Sequence, residues 1–425
     1  MSEAMVVAQL GARMHYAVPQ ILHARGLLAH FFTDLCAVKG WPRLTSLLPN
    51  VLLPNAVRRM VGRVPGRIPG DRITAFTAFG VEYALRVRRA RTSREQLAAF
   101  LWSGETFCDL IIRAGLGDAA GVYTFNTAGL ELLRHARARG LKTVMEQTIA
   151  PQAVEKMLMG EEQARHPDWQ LKVANDDLSA ELAARERAEW DEADLILCGS
   201  QFVADGIASC GGPVDRCRVV PYGVSGNFRA RERRRPEGKL RVLTVGEVGL
   251  RKGSPYVREA ARRLKGKAEF RMVGQINILP RAAAQLRQEV ELIGAIPRRE
   301  ILTHFDWADV FLLPSLCEGS ATVTYEALAC GLPVICTHNT GSVVRHGEDG
   351  LIVPLRDWES IVEAMEALAA SPDLLRTFSE NAMKRAREVS LDAYAERLVT
   401  ALEPGNPNTV TAWSLNENLP DRLRV

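Results

Sequence analysis

The sequence holds no CxxC pair, no HExxH or HxxxH spacing and no apolar run approaching 18 residues. Each absence removes a class of protein. The eight cysteines (Cys36, Cys108, Cys198, Cys210, Cys217, Cys317, Cys330 and Cys336) are scattered, most of them within apolar runs. That pattern fits buried free thiols in a reducing compartment rather than a disulfide scaffold. Histidines without ligand spacing exclude the common zinc motifs, so no metal site is expected. Without a long apolar run, no transmembrane helix is expected. The start, MSEAMVVAQLG, has neither a basic segment nor a long apolar core. No signal peptide is expected from it, and the chain reads as cytoplasmic. Charge of one sign is also scarce: 54 Lys and Arg against 50 Asp and Glu leave +4, too little to imply nucleic acid as a partner. GxGxxG is missing as well, both from the first strand's turn (QLGARMHY) and from the later GEVGLRKG, which weighs against a dehydrogenase.

What is present is alternation. The 425 residues, 47% apolar, suffice for two or three domains. Strand-like runs alternate with helical patterns, the signature of α/β layering. MVVAQLG reads as a strand and turn, AVPQILHARGLLAH as helix-like, HFFTDLC as the second strand, and 41–70 as irregular. GVYTFN, LKTVMEQ and ADLILCGS are further strands, with a charged helix over 178–190. PYGVSGNFRARERRRPEGK (221–239) breaks the pattern with Gly, Pro and charge, and reads as a linker. The alternation then restarts with LRVLTVG, a helix from about Ser254, AEFRMVG, VELIGAI, DVFLLP, VICT and GLIVPL. The expected organisation is two Rossmann-like domains, 1–220 and 240–402, joined by the linker and followed by a polar tail, 403–425.

EGSATVTYEALACGLPVI (318–335) carries two acids eight positions apart, Glu318 and Glu326. Flanked by the strands DVFLLP and VICT, residues Ser320 to Cys330 are expected to be helical, with Ser320 as N-cap and Gly331 and Pro333 as the stop. Eight positions span about 12 Å of helix axis. A retaining glycosidase needs its carboxyls roughly 5–5.5 Å apart and an inverting one roughly 6.5–9.5 Å. The spacing suits two contacts on one long ligand, with the helix tip between them as an anion site. A nucleotide-sugar has that layout; two unrelated surface acids are the bland alternative. Upstream, Gly246, Gly249 and Gly253 let the chain bend after a strand, and Arg251 and Lys252 suit a diphosphate. A solvated basic turn is the alternative there.

Together these stretches resemble glycosyltransferase family 4. The residues that carry the likeness are GEVGLRKG, LPSLCEGSATVTYEALACGLPVI, VVPYGV (219–224) and RHGEDGLIVPLRD (345–357). The resemblance runs from about residue 190 to 400. The opening AQLGARMHYAVPQILHARGLLAHFFTD is similar to bacterial members that build surface polysaccharides. It implies the GT-B fold, two Rossmann-like domains facing across a cleft, and a retaining, metal-independent transfer of a sugar from a nucleoside diphosphate to an acceptor hydroxyl. No cofactor is implied beyond the nucleotide-sugar itself. Glu326 would accept hydrogen bonds from the donor ribose. Glu318 would lie near the transferred sugar, and the amides of Gly319, Ser320, Ala321 and Thr322 would meet the sugar and phosphates. Lys252 matches the family's diphosphate lysine, with Gly249 shaping its turn. Glu318, Lys252 and Arg251 are thus the catalytic candidates. Where the family usually carries Arg after the strand's glycine, this chain has Glu247. Arg251 is expected to supply that cation, with Glu247 turned away or paired to it.

The first domain would bind a saccharide or lipid-linked saccharide acceptor. Its candidates are Gly11, Arg13 and His15 in the first strand's turn, and Glu146 in TVMEQTIAP, where family members often carry His. Asn126 is a further, lesser candidate. Ten arginines between Arg58 and Arg94, against Asp71 and Glu82, are interleaved with Met60, Val61, Ile73, Phe76 and Phe79. They fit peripheral docking on an anionic membrane, or simply solvated faces of an Arg-rich protein. Two other functions share the fold: a nucleotide-sugar epimerase and a non-catalytic nucleotide-sugar-binding partner. UDP and GDP are not distinguished by the residues.

Overall fold

The computed structural model describes residues 3–45, 57, 60–170, 177–229 and 238–403. The tail from 404, Arg58 and Arg59 and the middle of the expected linker lie outside the described residues. The chain forms two compact units, each built on one sheet.

The first unit's sheet contains β1 (Met5–Gln9), β2 (Leu28–Thr33), β3 (Ile73–Ala75), β4 (Gly121–Phe125), β5 (Lys142–Gln147), β6 (Leu195–Cys198) and β7 (Cys217–Val219). Their order is β3-β2-β1-β4-β5-β6-β7, and the pairings from β3 to β5 are parallel. β1 and β4 are buried along their whole length, as a strand covered on both faces requires. The helix read over AVPQILHARGLLAH is shorter than its pattern. It spans Ala17–Ala24, because Gly26 takes a left-handed φ of 71° just past its end. Leu28, Ala29 and His30 are thereby released into β2, which begins two residues earlier than HFFTDLC suggests.

The second unit repeats the plan with β8 (Leu240–Val245), β9 (Ala268–Val273), β10 (Glu291–Gly294), β11 (Val310–Leu313), β12 (Val334–Thr337) and β13 (Gly350–Val353). The order is β10-β9-β8-β11-β12-β13, all in parallel pairings. In both sheets the order reverses beside the first strand, between β1 and β4 and between β8 and β11. Open α/β sheets bind ligands at the carboxyl ends of the strands beside such a switch point.

Two segments that precede residue 218, 153–170 and 198–207, pack with the second unit. The helix Gln152–Arg165 carries Glu162, fully buried, which accepts hydrogen bonds from Arg356 Nε and Tyr256 Oη, each at 3.0 Å. Trp169 joins the core around Leu250, Val257 and Phe270. Gln170 Oε1 accepts from Leu250 N at 2.9 Å and its Nε2 donates to Asn277 O at 2.5 Å. Ser200 Oγ donates to Gly319 O at 2.5 Å.

Candidate active site

The carboxyl ends of β8 and β11 bring GEVGLRKG and LCEGSA together. Gly253 caps the helix Ser254–Arg263, which starts where the sequence places it, with φ 70°. A Cβ there would sit 2.1 Å from Pro314 O, so only glycine lets the basic turn lie against the end of β11. Next to it, Lys252 Nζ stands 2.6 Å and Arg251 Nη1 3.0 Å from Glu318 Oε1. Arg251 also donates to Cys317 O at 3.2 Å. The two cations and the first acid thus share one point. The Glu318 and Lys252 side chains are only 11% and 12% exposed, so solvent screens the cluster weakly.

Glu247 Oε1 accepts from Asn277 Nδ2 at 3.3 Å, and its charge still reaches Arg251, after those of Glu318 and Glu155. Sequence reasoning missed a third acid. Glu155, on the helix Gln152–Arg165, lies within electrostatic reach of Arg251 and Glu318. Burial pushes its carboxyl up, Arg251 opposes this and Glu318 adds to it. No local motif marks it, since a fold-level return of the chain brings it there.

The helix that follows Glu318 and carries Glu326 is Thr322–Ala329, and its N-cap is Ala321 without a side-chain bond. The expected Ser320 cap is therefore corrected. Ser320 Oγ lies 2.6 Å from Tyr325 Oη and donates to Gly341 O at 3.0 Å, so it cannot also serve the helix end. Ala321 N donates to Thr340 O, whereas the N–H groups of Gly319 and Ser320 find no acceptor among the described residues. The Gly249 N–H is taken by Ser254 Oγ at 2.9 Å, which leaves Gly249 a turn-forming role. Thr322 opens the helix. Midway along it Glu326 is 5% exposed and is paired with Arg298, a residue the sequence reading did not single out.

In the first unit, three of the four acceptor candidates meet at the carboxyl edge of the sheet. Gly11 N donates to Asp34 Oδ1 at 3.0 Å. Arg13 donates to Thr148 O at 2.8 Å, and its Nε lies 3.8 Å from Glu146 Oε1. Glu146 is buried and accepts from Tyr123 Oη at 2.5 Å. His15 is exposed. It sits in a run of three non-glycine residues at left-handed φ: Met14 at 46°, His15 at 52° and Tyr16 at 62°. Gln9 Nε2 holds the turn through Gly11 O and Arg13 O, and Tyr16 Oη donates to Leu35 O. Such strain, of order 1–3 kcal/mol per residue, concentrates at functional sites. Asn126 is different: its Oδ1 accepts from Thr148 N and Oγ1, a staple between the ends of β4 and β5. Among the described residues, no three His, Cys, Asp or Glu side chains gather where they could hold a metal ion.

The family model for glycosyl transferases group 1 matches residues 227–385. The amylovoran biosynthesis glycosyltransferase AmsK of Erwinia amylovora is 28% identical over 193 residues, 41% of this chain and 47% of that protein. The putative colanic acid biosynthesis glycosyltransferase WcaL of Salmonella typhimurium is 30% identical over 214 residues, 46% of this chain and 52% of that protein. The chain thus spans about half the length of these curated relatives. Among solved structures, a sucrose-phosphate synthase from Thermosynechococcus elongatus aligns with a TM-score of 0.62 at 18% identity, over 93% of this chain and 98% of that one. That likeness shows the fold. Two parallel sheets that each switch beside their first strand make a GT-B fold, and the stretch that matches the glycosyl transferases group 1 model contains both acids and the basic turn.

Proposed function

We propose that the protein is a retaining glycosyltransferase that moves a sugar from a nucleoside diphosphate to a saccharide or lipid-linked saccharide hydroxyl in polysaccharide synthesis. The observation that carries this reading is the convergence of Lys252, Arg251 and Glu318 at the β8/β11 switch point, beside the unpaired amides of Gly319 and Ser320. Developing charge on a leaving diphosphate needs such preorganised donors. Lys252 and Arg251 leave Glu318 for the phosphates as the donor enters, and Glu326 takes the ribose. The leaving diphosphate receives the acceptor's proton, so neither a metal nor a carboxylate dyad is required. Gly11, Arg13, His15 and Glu146 bind the acceptor, and the strained turn at 14–16 supports that role. The polysaccharide class is supported by the biosynthetic relatives.

A thermal-shift screen with UDP, GDP and their sugars tests the donor half. A ligand at about a hundredfold its dissociation constant adds about 2.7 kcal/mol of stability. Slow release of nucleotide from a UDP- or GDP-sugar without acceptor then separates a catalyst from a mere binder. A flat screen with no release would refute the reading.

Peripheral membrane association belongs to the same proposal. Among the described residues no helix is long and apolar enough to cross a membrane. Leu85, Arg88, Arg89 and Arg91 line an open surface groove, whereas Arg63 and Arg86 are taken by Asp34 and Glu82. Charge reversal at Arg88 and Arg89 is expected to weaken binding to anionic vesicles roughly thirtyfold or more, at about 1 kcal/mol per basic residue near the surface. Unchanged co-sedimentation would limit these arginines to solvated faces.

A further inference from the structure

We propose that Arg298 is a positioning residue for the nucleotide, holding the Glu326 carboxylate ionised and aimed so that it accepts hydrogen bonds from the ribose hydroxyls. The inference rests on the donor reading above and adds a residue outside the acidic motif.

Glu326 is an expensive residue where it stands. It lies in the helix Thr322–Ala329 with Tyr325, Ala327 and Leu328 fully buried around it. Burying a carboxylate favours its neutral form. Burial accordingly raises the Glu326 pKa, and Arg298 opposes the rise by charge and by hydrogen bond. Among the described residues Arg298 is the charged group acting on it. The helix Pro372–Glu388 packs against the same helix and brings Arg385 and Glu388. Those two pair with each other at 2.7 Å, and Arg385 Nε donates to Val343 O. Arg299, next in sequence, faces Glu300 and is 84% exposed.

Arg298 is itself held. It begins the 3-10 turn Arg298–Glu300 after β10, with Pro297 in extended conformation before it. Its guanidinium lies over the Phe228 ring, 5.3 Å from the centroid, and Phe228 is buried. A cation over an aromatic face is attracted by the ring's quadrupole. The Arg298 side chain is 57% exposed and the Glu326 side chain 7%, so the pair joins a buried carboxylate to a cation at the surface. Arg298 donates to Oε1. An ionised carboxylate has about four lone-pair sites, enough for two hydroxyls of a vicinal diol as well. A protonated carboxyl would turn one of those acceptors into a donor.

The test is nucleotide affinity as a function of pH. Dissociation constants for UDP and GDP are measured by calorimetry from about pH 5 to about pH 9, using whichever nucleotide the wild type binds. The proteins are wild type, Arg298→Gln, Arg298→Lys and Glu326→Gln, with thermal unfolding confirming each fold. Without Arg298 the carboxyl protonates at higher pH, and each unit of such a shift is a tenfold change. Arg298→Gln is therefore expected to weaken binding, most at the acid end of the range, with the gap closing as pH rises. Arg298→Lys keeps most of the affinity. In a Glu326→Gln background, Arg298→Gln costs nothing further. Equal affinity for wild type and Arg298→Gln at every pH, or the same loss at every pH, overturns the inference and leaves the donor reading standing. Absence of wild-type binding to either nucleotide overturns both.

Discussion

Lys252→Ala is expected to lower kcat/KM for a nucleotide-sugar by at least 10²–10³, about the cost of removing one preorganised donor from developing charge. The reason is local. Lys252 is mostly buried, its ammonium stands 2.6 Å from Glu318, and Arg251 approaches the same oxygen at 3.0 Å. The cluster therefore gathers two cations and one acid where the proposed function places a diphosphate. Without Lys252, Arg251 still balances Glu318, so the free protein keeps a paired carboxylate and its thermal stability should stay close to wild type. The deficit then appears in turnover rather than in folding. Nucleotide release, measured with a coupled assay on a donor that wild type uses, reads it directly. Wild-type turnover in the variant would remove Lys252 from the catalytic candidates.

The largest stability effect should come from Arg356→Met. Arg356 Nε bonds Glu162, which is fully buried, while its Nη1 reaches Glu161 at 2.9 Å and its Nη2 donates to Leu158 O at 3.2 Å. Removing one partner of a buried pair leaves an uncompensated charge and typically costs about 3–5 kcal/mol. Tyr256 Oη still donates to Glu162, so the lower end is expected. Urea unfolding measures the change. In the double variant with Glu162→Gln, part of the loss should return, because no full charge then remains buried. A loss under about 1 kcal/mol in Arg356→Met would show that this pair does not secure the helix Gln152–Arg165 to the second unit.

Much of the fold was legible because its signals are local. DVFLLP and VICT are continuous apolar runs, and strands covered on both faces must be so. The helix from Ser254 follows a glycine that tolerates left-handed φ and carries Pro255 in its first turn. Where the local reading failed, a distant partner competed. Ser320 has the chemistry of an N-cap, but Tyr325 and Gly341 hold its hydroxyl. AVPQILHARGLLAH has a helical pattern throughout, yet Gly26 ends the helix and the sheet claims the remainder.

The site divides in the same way. Glu318, Glu326, Arg251 and Lys252 could be named from the chain alone, because residue type and short spacing state what chemistry a turn or a helix end can offer. Arg298, Glu155 and the return of 153–170 to the second unit could not. Arg298 meets Glu326 across 28 positions and Arg356 meets Glu162 across 194. The sequence determined two parallel-sheet units and the acids and cations of the proposed donor site. Only the tertiary structure decided which cation neutralises which acid, since a side chain's protonation and aim depend on burial and on groups that packing brings near from far along the chain.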